Sequence, residues 1–257
     1  MIPKLHHADF LTSWQSIEPE SVALIFADPP YSLFSKLSYD PEIDLKKLGE
    51  IYNKLLKPNG QILLFCNLDL LIQLKDVFST WFHYRYLYVL EKSSGMPAST
   101  QRPINNIEYL SVWCKKGARE TDLTWKPYDF GLKGLPYHKK NYSMKTTTRG
   151  NKKTEININD DGNRYLKSVI QIPAKPNFKK DEKNGHPFQK HQKTCERFIK
   201  VYSNAGDTVL DSFTGSGSIL AACFKTGRMG IGYEIQKKYF NHAKTRINNL
   251  TAQEVLF

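Results

Sequence analysis

Along the chain, short unbroken apolar runs alternate with segments whose apolar residues recur every three or four positions. Residues 21–27, "SVALIFA", have the length and continuous apolar character of a strand buried on both faces of a parallel sheet. In "DLKKLGEIYNKLL", Leu45, Leu48, Tyr52, Leu55 and Leu56 share one helical face, and "KPNG" at 57–60 supplies turn chemistry to end that helix. Residues 61–66 read as a second buried strand, and Leu70, Leu71, Leu74, Val77 and Phe78 mark a second helix. Two more strands are expected around 84–90 and 108–114, joined by the polar stretch "KSSGMPASTQRPINN".

From residue 115 to about 183 the periodicity dissolves into Lys, Asn, Gly, Pro and Thr, as in a loop-rich lobe or a segment that orders on a partner. Regular structure returns with "KTCERFIKVYS", where Cys195, Phe198, Ile199 and Tyr202 share a face. A strand at 208–211, a glycine loop, a helix through 221–225 and a strand ending at Glu234 follow. The pattern predicts a doubly wound α/β sheet interrupted by an irregular insert.

Composition adds a partner to this picture. A net charge of +12 over 257 residues points to nucleic acid. The excess is uneven: no Asp or Glu falls between Phe130 and Thr154, where Lys133, Lys139, Lys140, Lys145, Arg149, Lys152 and Lys153 lie. Tyr137 and Tyr142 are interleaved with them, and Trp125 and Tyr128 precede them, the mixture that phosphate contact and base stacking require. No apolar run approaches the roughly 18 residues of a membrane span. The opening "MIPKLHHADF" lacks the features of a secretory signal, so a cytoplasmic protein without membrane partners is expected. Cys66, Cys114, Cys195 and Cys223 are widely spaced and form no CxxC pair; they read as small core residues, and no metal site is expected.

Two stretches carry chemistry. In "DTVLDSFTGSGSILAACFKTGRMGIGYE" a strand, a glycine turn and a helix lead to a second strand ending in an acid nineteen residues after Gly215. That is close to the roughly 20 at which a carboxylate meets ribose hydroxyls in a nucleoside-binding βαβ unit. Gly215 and Gly217 allow close approach of a ligand, and Glu234 accepts from the sugar. The lysine of a phosphate loop is missing and Leu220 takes the place of a third dinucleotide glycine, so a nucleoside without pyrophosphate fits best.

The second stretch is "DPPY", Asp28 to Tyr31, at the end of the first apolar strand. Asp28 and the Pro29 carbonyl are acceptors, neither proline brings an amide hydrogen, and Tyr31 adds a flat ring. A planar amino group on a nucleobase needs this combination. Hydrogen bonds from both its protons favour a tetrahedral nitrogen whose lone pair is freed to attack an electrophile. A base in duplex DNA has to leave the helix to reach such a turn.

With both stretches read, the chain closely resembles the amino-group DNA methyltransferases that use S-adenosylmethionine. "DPPY" resembles the catalytic motif, "DSFTGSGS" the cofactor loop, and their order, with the insert between them, resembles the permuted β class. The resemblance implies a mostly parallel, seven-stranded, Rossmann-like methyltransferase sheet. It divides the chain into a catalytic half at 1–116, a target-recognition insert at 117–183 and a cofactor-binding half at 184–257.

The resemblance also implies roles residue by residue. Asp28, Pro29, Pro30 and Tyr31 are catalytic. "HHADFL" suggests Asp9 and Phe10 at the cofactor's adenine, and "HPFQKH" suggests His186, Pro187 and Lys190, the lysine on the methionine carboxylate. Asp211, Phe213, Gly215, Ser216, Gly217, Ser218 and Glu234 complete the cofactor set, with Asp28 at its border. Lys133, Lys139, Lys140, Lys145, Arg149 and Arg164 are the DNA contacts. The chain departs from the family at His191, where proline is usual, and at Leu90, near which tryptophan is common.

The implied activity is methylation of adenine N6 in duplex DNA, since aspartate at the first motif position leans to adenine. Cytosine N4 is the alternative; a non-catalytic DNA-binding relative, or an enzyme acting on RNA or a glutamine amide, are further ones. A homodimer and a cognate restriction endonuclease are compatible partners.

Overall fold

The computed structural model describes residues 1–30, 43–93, 101, 103–126, 128–133, 163–174 and 189–254. The first elements are β1 (Lys4–His7), α1 (Phe10–Ser13), β2 (Val22–Ala27), α2 (Leu45–Leu55), β3 (Leu56–Cys66), α3 (Leu68–Phe78), β4 (Phe82–Lys92) and β5 (Ile107–Lys115). They are followed by β6 (Tyr128–Lys133), β7 (Asn163–Tyr165), β8 (Val169–Ile172), α4 (Gln192–Tyr202), β9 (Thr208–Asp211), α5 (Ser218–Lys225), β10 (Met229–Glu234) and α6 (Lys237–Glu254).

Among the described residues the main sheet has the order β1-β10-β9-β2-β3-β5-β4-β8. Its neighbours are parallel except β3 with β5 and β5 with β4. The α/β class and the mostly parallel sheet are as the sequence predicts, but the sheet has eight strands rather than seven. The additional one is β8, which pairs with β4 from Val89↔Val169 to Lys92↔Ile172. It lies in a segment with little periodicity, and its four residues "VIQI" simply alternate between exposed and buried.

Alternate residues of the central strands serve opposite layers. Ile25, Ala27, Ile62 and Leu64 belong to a core with Leu48, Tyr52 and Leu55 of α2 and Leu74 and Phe78 of α3. Phe26 and Phe65 face the other way and stack at 5.5 Å, with Phe198 of α4 edge-on to Phe26. Burial on both faces is why these strands are unbroken apolar runs. Side-chain caps start the two helices: Asp44 accepts from the Lys47 amide at 2.9 Å and Asn67 from the Leu70 amide at 2.8 Å.

The turn expected at 57–60 is instead an irregular start to β3. Val22 pairs with Leu56 but Leu24 with Gln61, so "KPNG" is accommodated as a bulge inside the ladder. Gly60 permits it, because a Cβ there would lie 2.7 Å from Leu56 Cδ1 and 3.1 Å from the Ala23 carbonyl oxygen.

Two compact units divide the chain, Met1–Lys126 with Ser168–Phe257, and Pro127–Lys167. The described part of the second is the antiparallel pair β6 and β7, in which Tyr128 opposes Tyr165 with ring centroids 5.5 Å apart. All four cysteines are buried free thiols. No helix among the described residues is long and apolar enough to cross a membrane.

Candidate active site

The strand order reverses between β9 and β2: the chain leaves β9 toward β10 on one side and β2 toward β3 on the other. Such a switch point opens a crevice at the carboxyl ends of the strands, where open α/β sheets bind ligands. Asp211 ends β9, Glu234 ends β10 and Asp28 directly follows β2. Because β5 runs antiparallel to β3, pairing Tyr109 with Cys66, its beginning brings Glu108 to the same edge.

The glycine loop between β9 and α5 is anchored to the end of β10. The Thr214 amide donates to the Tyr233 carbonyl at 2.9 Å and the Gly215 amide to Glu234 Oε2 at 2.8 Å. The other Glu234 oxygen accepts from the Gln236 amide at 2.8 Å. Gly215 and Gly217 have φ of 51° and 76°, the left-handed region that glycine tolerates. A Cβ on Gly217 would also come within 3.0 Å of the Ala243 Cβ on α6.

Burial raises the Glu234 pKa above the ordinary carboxyl value, and the Gln236 and Gly215 amides only partly counter it. Asp211 is 1 % exposed. One of its oxygens accepts from the Phe213 amide at 3.3 Å; the other, Oδ2, is buried with no hydrogen-bond partner among the described residues. Burial pushes its pKa well up against the pull of that amide, and the neighbouring Asp28 and Glu234 charges push it further. Ser216 and Ser218 are buried, with hydroxyls 3.0 Å apart, and Arg246 of α6 donates to Ser218 Oγ at 3.0 Å and to Gln192 Oε1 at 2.7 Å.

At the end of β2, Asp28 is partly buried and its Oδ2 lies 3.1 Å from the Lys190 ammonium. Lys190 also reaches Glu108 Oε1 at 3.4 Å and sits over the Phe65 ring at 4.4 Å. Glu108 in turn pairs with Lys92 at 2.8 Å. Burial disfavours the Lys190 ammonium, but Asp28 and Glu108 overcome it and hold its pKa above the ordinary lysine value. Burial likewise works against the Glu108 carboxylate, and Lys190 and Lys92 bring its pKa below the usual range.

Asp28, Asp211, Phe213, the glycine loop, Glu234 and Lys190 thus gather at one edge of the sheet. The Ala8 amide donates to the Glu234 carbonyl at 3.1 Å, which brings the "HHADFL" turn beside them. There Asp9 caps α1 by accepting from the Leu11 amide at 3.0 Å. Phe10 is 2 % exposed, its ring packed on Tyr233 and Tyr52. Pro29 and Pro30 are described, whereas Tyr31, His186, Pro187, Lys139, Lys140, Lys145 and Arg149 lie outside the described residues. Lys133 ends β6 and Arg164 is in β7, both in the second unit.

Sequence reasoning missed Glu108, Lys92 and Arg246. An acid opening the apolar strand "EYLSVWC" is the one signal that singles out Glu108.

A doubly wound sheet with a glycine turn, a spaced acid and further acids at its switch point defines a nucleoside-binding α/β protein. Residues 22–245 match the profile of the N6/N4 DNA methylases, and the chain belongs to that family. It is 27 % identical over 272 residues to the type II methyltransferase M.HpaI of Haemophilus parainfluenzae, covering 97 % of this chain and 75 % of that one. With the DNA adenine methyltransferase YhdJ of Escherichia coli it shares 26 % identity over 94 % of this chain and 81 % of the relative. Among solved structures, M1.HpyAVI in complex with SAM superposes with a TM-score of 0.65 at 25 % identity, covering 96 % of this chain and all of that one. The cytosine-N4-specific PvuII DNA methyltransferase shares the fold, with a TM-score of 0.64 at 17 % identity over 98 % of this chain and 91 % of that one.

Proposed function

We propose that the chain transfers a methyl group from S-adenosylmethionine to N6 of a flipped adenine at specific sites in duplex DNA. The observation that carries this reading is the meeting of an acceptor turn, Asp28 and Pro29, with the acid-bearing glycine loop at one switch point. When bound, the cofactor supplies an electrophilic methyl group on a sulfonium.

The donor set fits that cofactor. Glu234 accepts the Gly215 amide on one oxygen and the Gln236 amide on the other, and its remaining acceptor capacity suits ribose hydroxyls. The buried Oδ2 of Asp211, which has no hydrogen-bond partner among the described residues, suits the ammonium of the methionine portion. Gly215 and Gly217 keep the loop low enough for close approach. Ile235, 59 % exposed immediately after Glu234, offers apolar cover to a flat ring, with Asp9 and the Phe10 backbone on the neighbouring turn. His186, Pro187 and Lys190 take the methionine carboxylate in this reading, and Phe213, Ser216 and Ser218 shape the loop.

In the transfer itself, Asp28 and the Pro29 carbonyl accept the two amino hydrogens, which frees the nitrogen lone pair for attack; the nitrogen–methyl bond would form as the methyl–sulfur bond breaks to leave a neutral thioether, and one amino proton would then pass to solvent. Pro30 stiffens the turn, and Tyr31 replaces the stacking that the base loses on leaving the helix. Lys133, Lys139, Lys140, Lys145, Arg149 and Arg164 supply the phosphate and base contacts. Adenine is favoured by aspartate at position 28 and by the kinship with YhdJ, named an adenine methyltransferase. Kinship with M.HpaI and M.BamHI, both named type II methyltransferases, favours a companion restriction endonuclease.

Incubating duplex DNA with tritiated cofactor and digesting it to nucleosides tests the base. Label in N6-methyl-2′-deoxyadenosine is expected; label in N4-methyl-2′-deoxycytidine overturns the adenine assignment, and label in neither overturns the reading.

A further inference from the structure

Four charged side chains stand in a row across the carboxyl edge of the sheet: Asp28 after β2, Lys190 ahead of α4, Glu108 in β5 and Lys92 in β4. Their signs alternate. β3 lies between β2 and β5, so the Lys190 ammonium has to cross it to touch both acids, and it does so over the Phe65 ring at 4.4 Å. The same Oε1 of Glu108 receives Lys190 at 3.4 Å and Lys92 at 2.8 Å.

We infer that Glu108 is a positioning residue for methyl transfer, sharing the Lys190 ammonium with Asp28 and so fixing the carboxylate that meets the target amino group. The inference rests on the role given to Asp28 above. A lysine ammonium is a compact charge with three rotatable donors on a flexible stem, and a single carboxylate does not fix its place. A second carboxylate beyond the Phe65 ring does. The Lys190 side chain is only 11 % exposed, so little water screens the arrangement.

The direction of the effect follows from the charges. Without Glu108, Lys92 and Lys190 face one another with no acid between them. Their repulsion drives Lys190 onto Asp28, whose oxygens then become weaker acceptors for the amino hydrogens. Transfer slows, while cofactor binding, which has the glycine loop and Glu234 besides Lys190, changes less.

E108Q and E108D test this. At saturating cofactor, E108Q is expected to lower the single-turnover rate on duplex DNA about tenfold and to change the cofactor KM less than about twofold. E108D, which keeps the charge, recovers most of the rate. A readout independent of turnover comes from melting E108Q, K190M and the double variant, whose Tm losses are expected to fall short of additive. Additive losses, or an E108Q rate equal to that of an active wild type, overturn this inference alone. A wild type that methylates no DNA takes the proposed function down with it, while the melting cycle still reports whether Glu108 holds Lys190.

Discussion

The hydroxyl of Ser218 donates to the carbonyl oxygen of Lys190 at 2.8 Å, so the first residue of α5 holds the backbone of the residue whose ammonium sits on Asp28. The glycine loop and the acceptor turn are therefore joined through one lysine, gripped at both ends. Ser218→Ala removes this bond and the acceptor used by Arg246. It is expected to cost roughly 1–3 kcal/mol of stability and to weaken both cofactor binding and transfer. Calorimetric titration beside single-turnover kinetics checks it; a loss of affinity with an unchanged rate would separate the two halves.

Asp28→Ala removes an acceptor but leaves Lys190 its Glu108 partner, so the fold is expected to survive. Transfer should fall at least about a hundredfold, while cofactor binding stays measurable. Near-normal turnover would refute the role of this carboxylate.

Acid is expected to loosen the cofactor before it unfolds the protein. The Glu234 pKa lies above the ordinary 4.5, chiefly through burial, whereas Lys190 and Lys92 bring that of Glu108 below it. As the pH falls Glu234 is protonated before Glu108, which weakens its grip on ribose hydroxyls; its raised pKa means that this protonation itself favours the folded state. Glu108 stabilises the fold above its unfolded pKa, and that contribution is lost only as the pH falls through its lower folded value. Cofactor titrations and thermal melts over one acid series read the two events, and their coincidence would count against the assignment.

Gly217→Ala places a side chain on a residue with φ of 76° and a Cβ within 3.0 Å of Ala243. Strain of about 1–2 kcal/mol is expected, with α5 displaced from α6 and the cofactor bound more weakly. An unchanged Tm would mean that the loop relaxes without cost.

Replacing Lys139 and Lys140 with alanine is expected to weaken DNA binding at low salt and to reduce the slope of log K against log salt by about 0.9 for each phosphate no longer neutralised. An unaltered slope removes these lysines from the DNA surface.

What the sequence showed of this arrangement is what lies at the ends of apolar runs. Asp28 and Glu234 announce themselves because each terminates a buried strand, and the distance from Gly215 to Glu234 is a property of the chain alone. Glu108 and Lys190 are 82 positions apart, and an acid at a strand start looks the same whether solvent or an ammonium meets it. β1 and β8 escaped for a different reason: "KLHH" and "VIQI" are edge strands of four residues, too short and too mixed to form a run. In α6, "KKYFNHAKTRINNLTAQE" buries Ala243 and Ile247 amid largely polar neighbours, so its helical periodicity is faint.

Among the described residues β1 has one neighbour in the sheet, β10, with Lys4 opposite Ile231 and His7 opposite Glu234. Lys4 and Ile231 lie far apart in sequence, so β1 cannot take its place in the sheet until β10 has formed. Contacts of such high sequence separation form late in folding, after the loop-closure entropy has been met. A chain interrupted before Met229 would leave β1 without this partner, so the docking of one edge strand reports that the glycine loop and the strand beyond it are already in place.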